Sequence, residues 1–387
     1  MRLMEICELI VDCPHSTAPD EGKGYPLIRT PNIGKGRLLL DNVHKVSEEV
    51  YIERNKRATP RENDLILARE APVGNIAIIK KGQNVCLGQR TVLIRPNKEK
   101  VNPNYLVYYL LSPRMQTRLL RASNGATVNH LNMVDIKKLE IELPDIKIQN
   151  KVGKLLTLVD DKVEKNRKIN KNLFEMVNAY YTSLFKDVEC EMTTIGNYTE
   201  RIYSGGTPTT SNVAYWGGGF GWFSSGETRN RFVISTDKTI TQSGIDNSST
   251  KLAAKYDIVM ASAGQGFTRG QTSMLLIDAY VNQSVIVIHA DRNIIPYLFW
   301  NLANRYEELR AISDSSSIRG SLTTKMIAAF EIPLANGKTI QNFSEFAWAV
   351  IPQIENNLLE NERLAALRDS LLPKLMSGEL DISNLDL

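Results

Sequence analysis

Two rhythms alternate along this chain of 387 residues, and each occurs twice. Short β-branched runs, "DLILA" and "TVLIR" in the first half and "DIVMAS" and "SVIVIH" in the second, are bounded by Gly, Pro and Asn. Runs of that length and composition predict half-buried strands. "YLVYYLL" and "YLFWNLA" follow them as short helices, and each half closes on a much longer stretch with apolar residues three and four apart. From Ile148 to about Phe185 this stripe is Leu155, Val159, Ile169, Leu173, Met176 and Tyr180, with Lys162 and Asn166 as polar interruptions. From Ile340 to about Leu375 it is Phe343, Ala347, Val350, Ile351, Ile354, Leu358, Leu364, Ala365, Leu371 and Leu372, interrupted by Asn361 and Arg368. Such spacing predicts two long helices, each with one apolar face. Asp145 and Lys147 before the first, and Asn336-Gly337 before the second, predict helix-start turns. Pro352 predicts a kink or a restart within the second.

The halves also match residue by residue. "LEIELPDIKIQN" (Leu139 to Asn150) and "FEIPLANGKTIQN" (Phe330 to Asn342) share one grammar: alternating apolar residues, a proline, polar residues, then Ile-Gln-Asn. A shift of roughly 190 residues, a spacing that marks repeated units, pairs Ile6 with Ile195, Asp64 with Asp257, Ala68 with Ala261, Gln89 with Gln283 and Tyr105 with Tyr297. The order is the same throughout, which predicts one α+β fold made twice: an internal pseudo-twofold repeat. The expected boundaries are residues 1–144 for a first globular unit, 145–187 for its long helix, 188–334 for a second unit, and 335–387 for the second helix and tail.

A helix of roughly 38 residues spans roughly 55 Å, longer than a small domain is wide. Each stripe is therefore expected to bury against the other in an antiparallel coiled coil with a globular unit at either end. The first helix is rich in lysine (Lys151, Lys154, Lys162, Lys165, Lys168, Lys171) and the second in glutamate (Glu345, Glu355, Glu360, Glu362), so opposite charges are expected along the seam.

Composition adds little. With 47 Lys+Arg against 43 Asp+Glu, the charge is compatible with a polyanionic partner without requiring one. Cys7, Cys13, Cys86 and Cys190 form no CxxC pair, and Glu5, Glu8 and Asp12 break the first apolar run. Reduced thiols in a cytoplasm are expected, with neither signal peptide nor membrane span.

Candidate catalytic motifs fail on their chemistry. "NPNY" (Asn102 to Tyr105) lacks the second proline of an adenine-methyltransferase turn, and its counterpart "IIPY" lacks the asparagine. "LPDIK" overlaps the two parts that a PD-(D/E)xK nuclease keeps on separate strands, so it reads as a helix start. "WGGGFGW" (Trp216 to Trp222) lacks the GK[ST] of a phosphate loop and reads as a turn or loop near a surface. His15, His44, His130 and His289 have no ligand spacing, and no GxSxG accompanies the serines.

What recurs is polar loop chemistry. "LIRTPNIGKGR" (Leu27 to Arg37) matches "WFSSGETRNRF" (Trp222 to Phe232), "AREAPVG" (Ala68 to Gly74) matches "ASAGQGFTRG" (Ala261 to Gly270), and "SNGATVNHL" (Ser123 to Leu131) matches "DSSSIRGSL" (Asp314 to Leu322). Arg, Lys and backbone N–H groups suit phosphates, and Arg and Asn suit base edges. The candidate DNA contacts are Arg29, Asn32, Lys35, Arg37, Arg69, Gln89, Arg90, Asn124, Thr127 and Asn129 in the first half. In the second they are Thr207, Thr209, Ser225, Thr228, Arg229, Arg231, Gln265, Arg269, Gln283, Ser316 and Arg319.

Over nearly its whole length the chain resembles the specificity subunits of Type I restriction-modification enzymes, on "LPDIKIQNKVGKLLTLVDDKVEKNRKINKNL", "SNGATVNHLNMVDIKKLEIELP" and above all "LRDSLLPKLMSGEL". The second unit departs in "SSSIRGSLTTKMIAAFEIP", which lacks the Gly-Ala-Thr. The resemblance implies a noncatalytic reader of double-stranded DNA in which each target-recognition unit reads one half of a bipartite target and the helices act as a ruler. It also implies two methylation subunits as partners, carrying S-adenosylmethionine, and restriction subunits using ATP and Mg, with no cofactor or metal on this chain. The alternatives are a diverged methyltransferase or nuclease, and a coiled-coil scaffold for protein partners.

Overall fold

The computed structural model describes residues 1–123, 129–185, 191–264, 267–315 and 320–382. The chain divides into two units, the first of Met1–Val163 with Arg363–Leu387 and the second of Glu164–Glu362. Both long helices, Ile146–Phe185 and Gly337–Ser377, are therefore shared between units.

The first unit is built on a five-stranded sheet in the order Cys7–Asp12, Thr91–Pro96, Leu65–Ala68, Ile76–Ile78, Gly36–Arg37. The second repeats it as Arg201–Ser204, Val285–His289, Ile258–Ala261, Thr272–Leu275, Phe232–Val233. In each sheet the first four strands pair antiparallel and the fifth joins in parallel. The central strands are buried along their whole length, as their unbroken Leu, Ile and Val predict. A smaller sheet follows the same plan: Tyr25–Ile28 lies between Lys45–Val46 and Cys86–Leu87, and Trp216–Phe223 lies between Lys238–Ile240 and Ala279–Val281. The second unit adds Lys251–Ala253 at its edge.

"WGGGFGW" is thus an interior strand, not a turn. Its glycines serve close approach: a Cβ on Gly218 would run into the Ile240 carbonyl of the neighbouring strand. Gly217, at φ +79°, lies in the bulge where the register shifts between Trp216 and Phe220.

Helices Pro103–Leu111 and Ile295–Asn304 cover the main sheets, with Tyr105 and Tyr297 fully buried at matching places. "NPNY" is structural: the Asn102 side chain accepts from Tyr105 N–H at 3.0 Å and donates to Asn150 at 2.8 Å, so the helix cap is tied to the "IQN" of the repeated phrase. Gly153 permits the approach, since a Cβ there would sit 2.9 Å from Tyr105 N. The two long helices begin alike. Asp145 and Asn336 each accept, at 2.8 Å, from the N–H two residues on.

Within the first unit Arg368 pairs with Asp160 at 2.8 Å; within the second, Asn166 donates to Asn361 at 3.0 Å and Asn357 donates to Asn170 at 2.7 Å. The helices run antiparallel in both. The second helix buries Phe343, Ala347, Val350, Ile351, Ile354 and Leu372 of its expected stripe, leaves Leu358, Leu364, Ala365 and Leu371 half-buried, and continues through Pro352. The first is turned by about one residue from expectation over most of its length: Val152, Leu156, Val163, Val177 and Tyr181 are buried and Met176 is exposed, while Asn166 is buried on the expected stripe. It faces its own covering helices as well as its partner: Tyr108 donates to Asp160 at 2.7 Å, and Asn301 to Tyr181 Oη at 2.8 Å. A two-partner interface moves the centre of the buried face off a pure coiled-coil seam. The glutamates also turn elsewhere, Glu355 to Lys255 at 2.6 Å and Glu362 to Ser235 at 2.5 Å.

Candidate nucleic-acid interface

The polar loops gather at one end of each main sheet, and the same backbone bonds hold their roots. Gly74 N–H donates to Ala68, Arg69 N–H to Arg90 and Leu131 N–H to Arg69. In the second unit Gly270 N–H donates to Ala261, Ser262 N–H to Ser284 and Leu322 N–H to Ser262. The side chains above this shared frame differ. Strand register places Asp12, Arg69 and Arg90 of the first unit at the positions of Ser204, Ser262 and Ser284 in the second.

In the first unit these residues form a chain of charges. Arg69 holds both oxygens of Asp12 at 2.7 and 2.8 Å, donates through Nε to Leu131 O at 2.8 Å, and lies 2.6 Å from His130 Nε2. His130 Nδ1 lies 2.6 Å from Glu70, which pairs with Arg90 at 2.9 Å. Magnitudes separate the two arginines. Arg69 is buried, and breaking such a pair costs about 3–5 kcal/mol, more than the about 1.5–3 kcal/mol of a new charged hydrogen bond. It stays in its clamp. Arg90, with a side chain 59% exposed, is in a pair of the kind worth about 0–1 kcal/mol, so it can exchange Glu70 for a phosphate. Arg90 also sits at φ +65°, a strained conformation for a non-glycine residue that clusters at functional sites.

Two adjoining cavities open here. One of about 330 Å³ is lined by His15, Arg69, Glu70, Gln89, Arg90 and His130. The other, about 340 Å³, shares Gln89 and Arg90 and reaches Ser16, Arg29 and Arg54. The structure thus brings Arg29, Arg69, Gln89 and Arg90 together. Gln89 is already donating to His15 O at 2.9 Å. Asn32 fixes its own turn, accepting from Arg29 N–H at 3.1 Å and donating to Leu39 O at 3.3 Å. Lys35 and Asn129 are exposed, and Arg37 is partly buried.

In the second unit Arg269 is clamped by Asp314 and by Gly320 O. Thr207 bonds Gln283, while Thr209, exposed, accepts from Trp216 Nε1 at 3.3 Å through its carbonyl. Thr228 is buried on Ser225 O at 2.8 Å, Arg229 is exposed, and the Arg231 guanidinium lies 4.3 Å from the centre of the Phe174 ring, where burial lowers its pKa. Asn124, Thr127, Gln265, Ser316 and Arg319 lie outside the described residues.

Sequence reasoning missed His15, Ser16, Arg54, Glu70 and His130 in the first unit's cleft. A signal existed for the first two: "PHST" faces "GGTPTT" in the repeat, and Thr207 and Thr209 were candidates. Among the described residues, no three His, Cys, Asp or Glu side chains are grouped to hold a metal. No described helix is long and apolar enough to cross a membrane.

Residues 1–174 and 189–361 both match the family model described as Type I restriction modification DNA specificity domain. The EcoBI specificity subunit of Escherichia coli is 30% identical over 46% of this chain and 34% of its own length. The HindI specificity subunit of Haemophilus influenzae is 20% identical over 77% of this chain and 82% of its own. In fold, a crystal structure of a Type I restriction-modification S subunit from M. genitalium matches with a TM-score of 0.60 at 14% identity, covering 97% of this chain and 95% of that one. With the family model matched twice, over most of its length, the chain belongs to the Type I restriction-modification DNA specificity family.

Proposed function

We propose that this chain is the noncatalytic specificity subunit of a Type I restriction-modification complex, with each unit reading one half of a bipartite double-stranded DNA target. The paired helices set the unread gap between the halves and dock two methylation subunits. S-adenosylmethionine and adenine methylation belong to those subunits, and ATP and Mg to the restriction subunits.

The observation that carries this reading is the shared frame under divergent loops. Asp12, Arg69 and Arg90 stand where the second unit has three serines, yet the backbone bonds at the loop roots are the same. A protein that needed one ligand twice would keep the loop chemistry along with the frame. Two unlike surfaces on one frame suit two unlike half-targets, and tethering them raises affinity through effective concentration.

The ruler is tested by inserting matched heptads into both long helices and mapping methylated adenines in cells carrying the complete system. The expected outcome is a longer unread spacer between unchanged half-sites; an unchanged spacer contradicts the ruler.

A further inference from the structure

The cavity beside Arg29 and Arg54 holds a feature that the frame does not require. Arg54 ends the helix Glu48–Arg54 and is nine-tenths buried. Its Nε donates to Leu87 O at 2.8 Å and its Nη1 to Ser16 O at 3.1 Å, while Nη2 is buried without a partner. Among the described residues, no carboxylate lies within ion-pairing distance of this guanidinium. Arg29 Nε, on the same cavity, is likewise buried and unpartnered. The acidic side chain on the lining is Asp20, whose Oδ1 already accepts from Gly22 and Lys45 N–H groups.

The second unit shows what the frame alone needs. Strand pairing makes Leu87 the counterpart of Val281, and there the carbonyl takes its side-chain bond from the neutral Thr250 hydroxyl at 3.0 Å. A hydroxyl therefore suffices to satisfy that strand. The first unit places a buried cation at the task instead, and an unneutralised buried charge is costly. Both residues line the cavity, so an anion entering it would sit beside two guanidinium groups that each keep an unpartnered nitrogen. A cavity of about 340 Å³ has room for one, as a water takes about 30 Å³ in the liquid.

We infer that this cavity is a phosphate-oxyanion seat, with Arg54 and Arg29 supplying its charge and donors. If the proposed function holds, the occupant is a backbone phosphate of the half-target read by the first unit, and Arg54 positions the Gly88–Arg90 loop on the duplex. The same chemistry would accept free inorganic phosphate.

The test uses the full chain and two variants, Arg54→Thr, which removes the guanidinium, and Arg54→Lys, which keeps the charge. Thermal unfolding is followed during titration with inorganic phosphate at constant ionic strength, against chloride. The wild type should show a saturable rise in Tm, and Arg54→Thr a phosphate affinity at least about tenfold weaker, with Arg54→Lys between them. Without phosphate, the Tm of each chain is the baseline against which its own titration is read, because Arg54→Thr loses the bonds to Leu87 O and Ser16 O along with the charge. On duplex DNA, with methylation subunits present, Arg54→Thr should flatten the slope of log affinity against log salt by about 0.9 and weaken binding equally across target sequences. A phosphate effect with an unchanged DNA slope assigns the seat to free phosphate. A changed slope without a free-phosphate effect assigns it to DNA. Neither effect, or an Arg54→Thr chain that responds to phosphate like wild type, overturns the seat. If the wild-type complex fails to bind DNA, the proposed function falls and the phosphate titration still decides the seat.

Discussion

Asp64 and Asp257 occupy the same buried place in the two units and take different partners. Asp64 pairs with Arg95 at 2.7 Å, and Asp257 with His289 at 2.6 Å, each from the adjoining strand. Each also holds a turn, Asp64 accepting from Arg61 N–H at 3.0 Å and Asp257 from Ala254 N–H at 2.9 Å. Asp257→Ala would leave two half-buried donors, His289 Nδ1 and Ala254 N–H, without this acceptor and should destabilise the second unit by about 1–3 kcal/mol, read from urea unfolding. Burial raises the Asp257 pKa, with the His289 and Ala254 bonds opposing that rise. The unfolded chain therefore loses this proton first as pH increases. The carboxyl's contribution is full below the ordinary value of 3.8 and declines as pH rises through the folded value. Asp257→Asn removes the titration, so the wild type's stability relative to this variant should fall as pH rises above 3.8; a rise would contradict the assignment. The pairing of the two aspartates was legible in the sequence, but their partners were not, because a cross-strand neighbour is fixed by register. Arg69 shows the same limit: its loop reads as a phosphate contact, whereas Asp12, across the sheet, makes it a clamp.

Among the elements, the long helices were the most legible, since a 3/4 apolar rhythm over ten turns has few other solutions. Their facing was less so, because the first helix packs against two neighbours. Asn166 interrupts an apolar stripe, yet it is buried, donating to Glu360 at 2.7 Å and Asn361 at 3.0 Å, with its carbonyl oxygen unpartnered. A single polar residue on such a seam fixes register at a cost in stability. Asn166→Leu should therefore raise the urea midpoint, gaining about 1–2 kcal/mol from apolar burial and from removal of the unmet carbonyl. A lowered midpoint would show that the amide network stabilises the helices rather than aligning them. The misread glycine strand failed for a different reason: Gly217 and Gly218 signal a turn by composition, and only the neighbouring Ile240 backbone shows why glycine is needed within a strand.

At the scale of the whole molecule, the repeat carries the argument. Five matched stretches were visible in order, and they became strands and helices of the same topology, to which the second unit adds the strand Lys251–Ala253. What the sequence could not supply was which loop side chains remain available once the frame closes: Asn32 and Arg69 are consumed by it, and Arg90 is not. The central claim is that each unit reads its own half-target on a common frame. Exchanging residues 190–333 for the matching unit of another family member, and mapping methylated adenines in cells with the complete system, tests it most directly. The expected map keeps one half-site and the spacer and changes the other half-site; a map in which both half-sites change, or neither does, would contradict the claim.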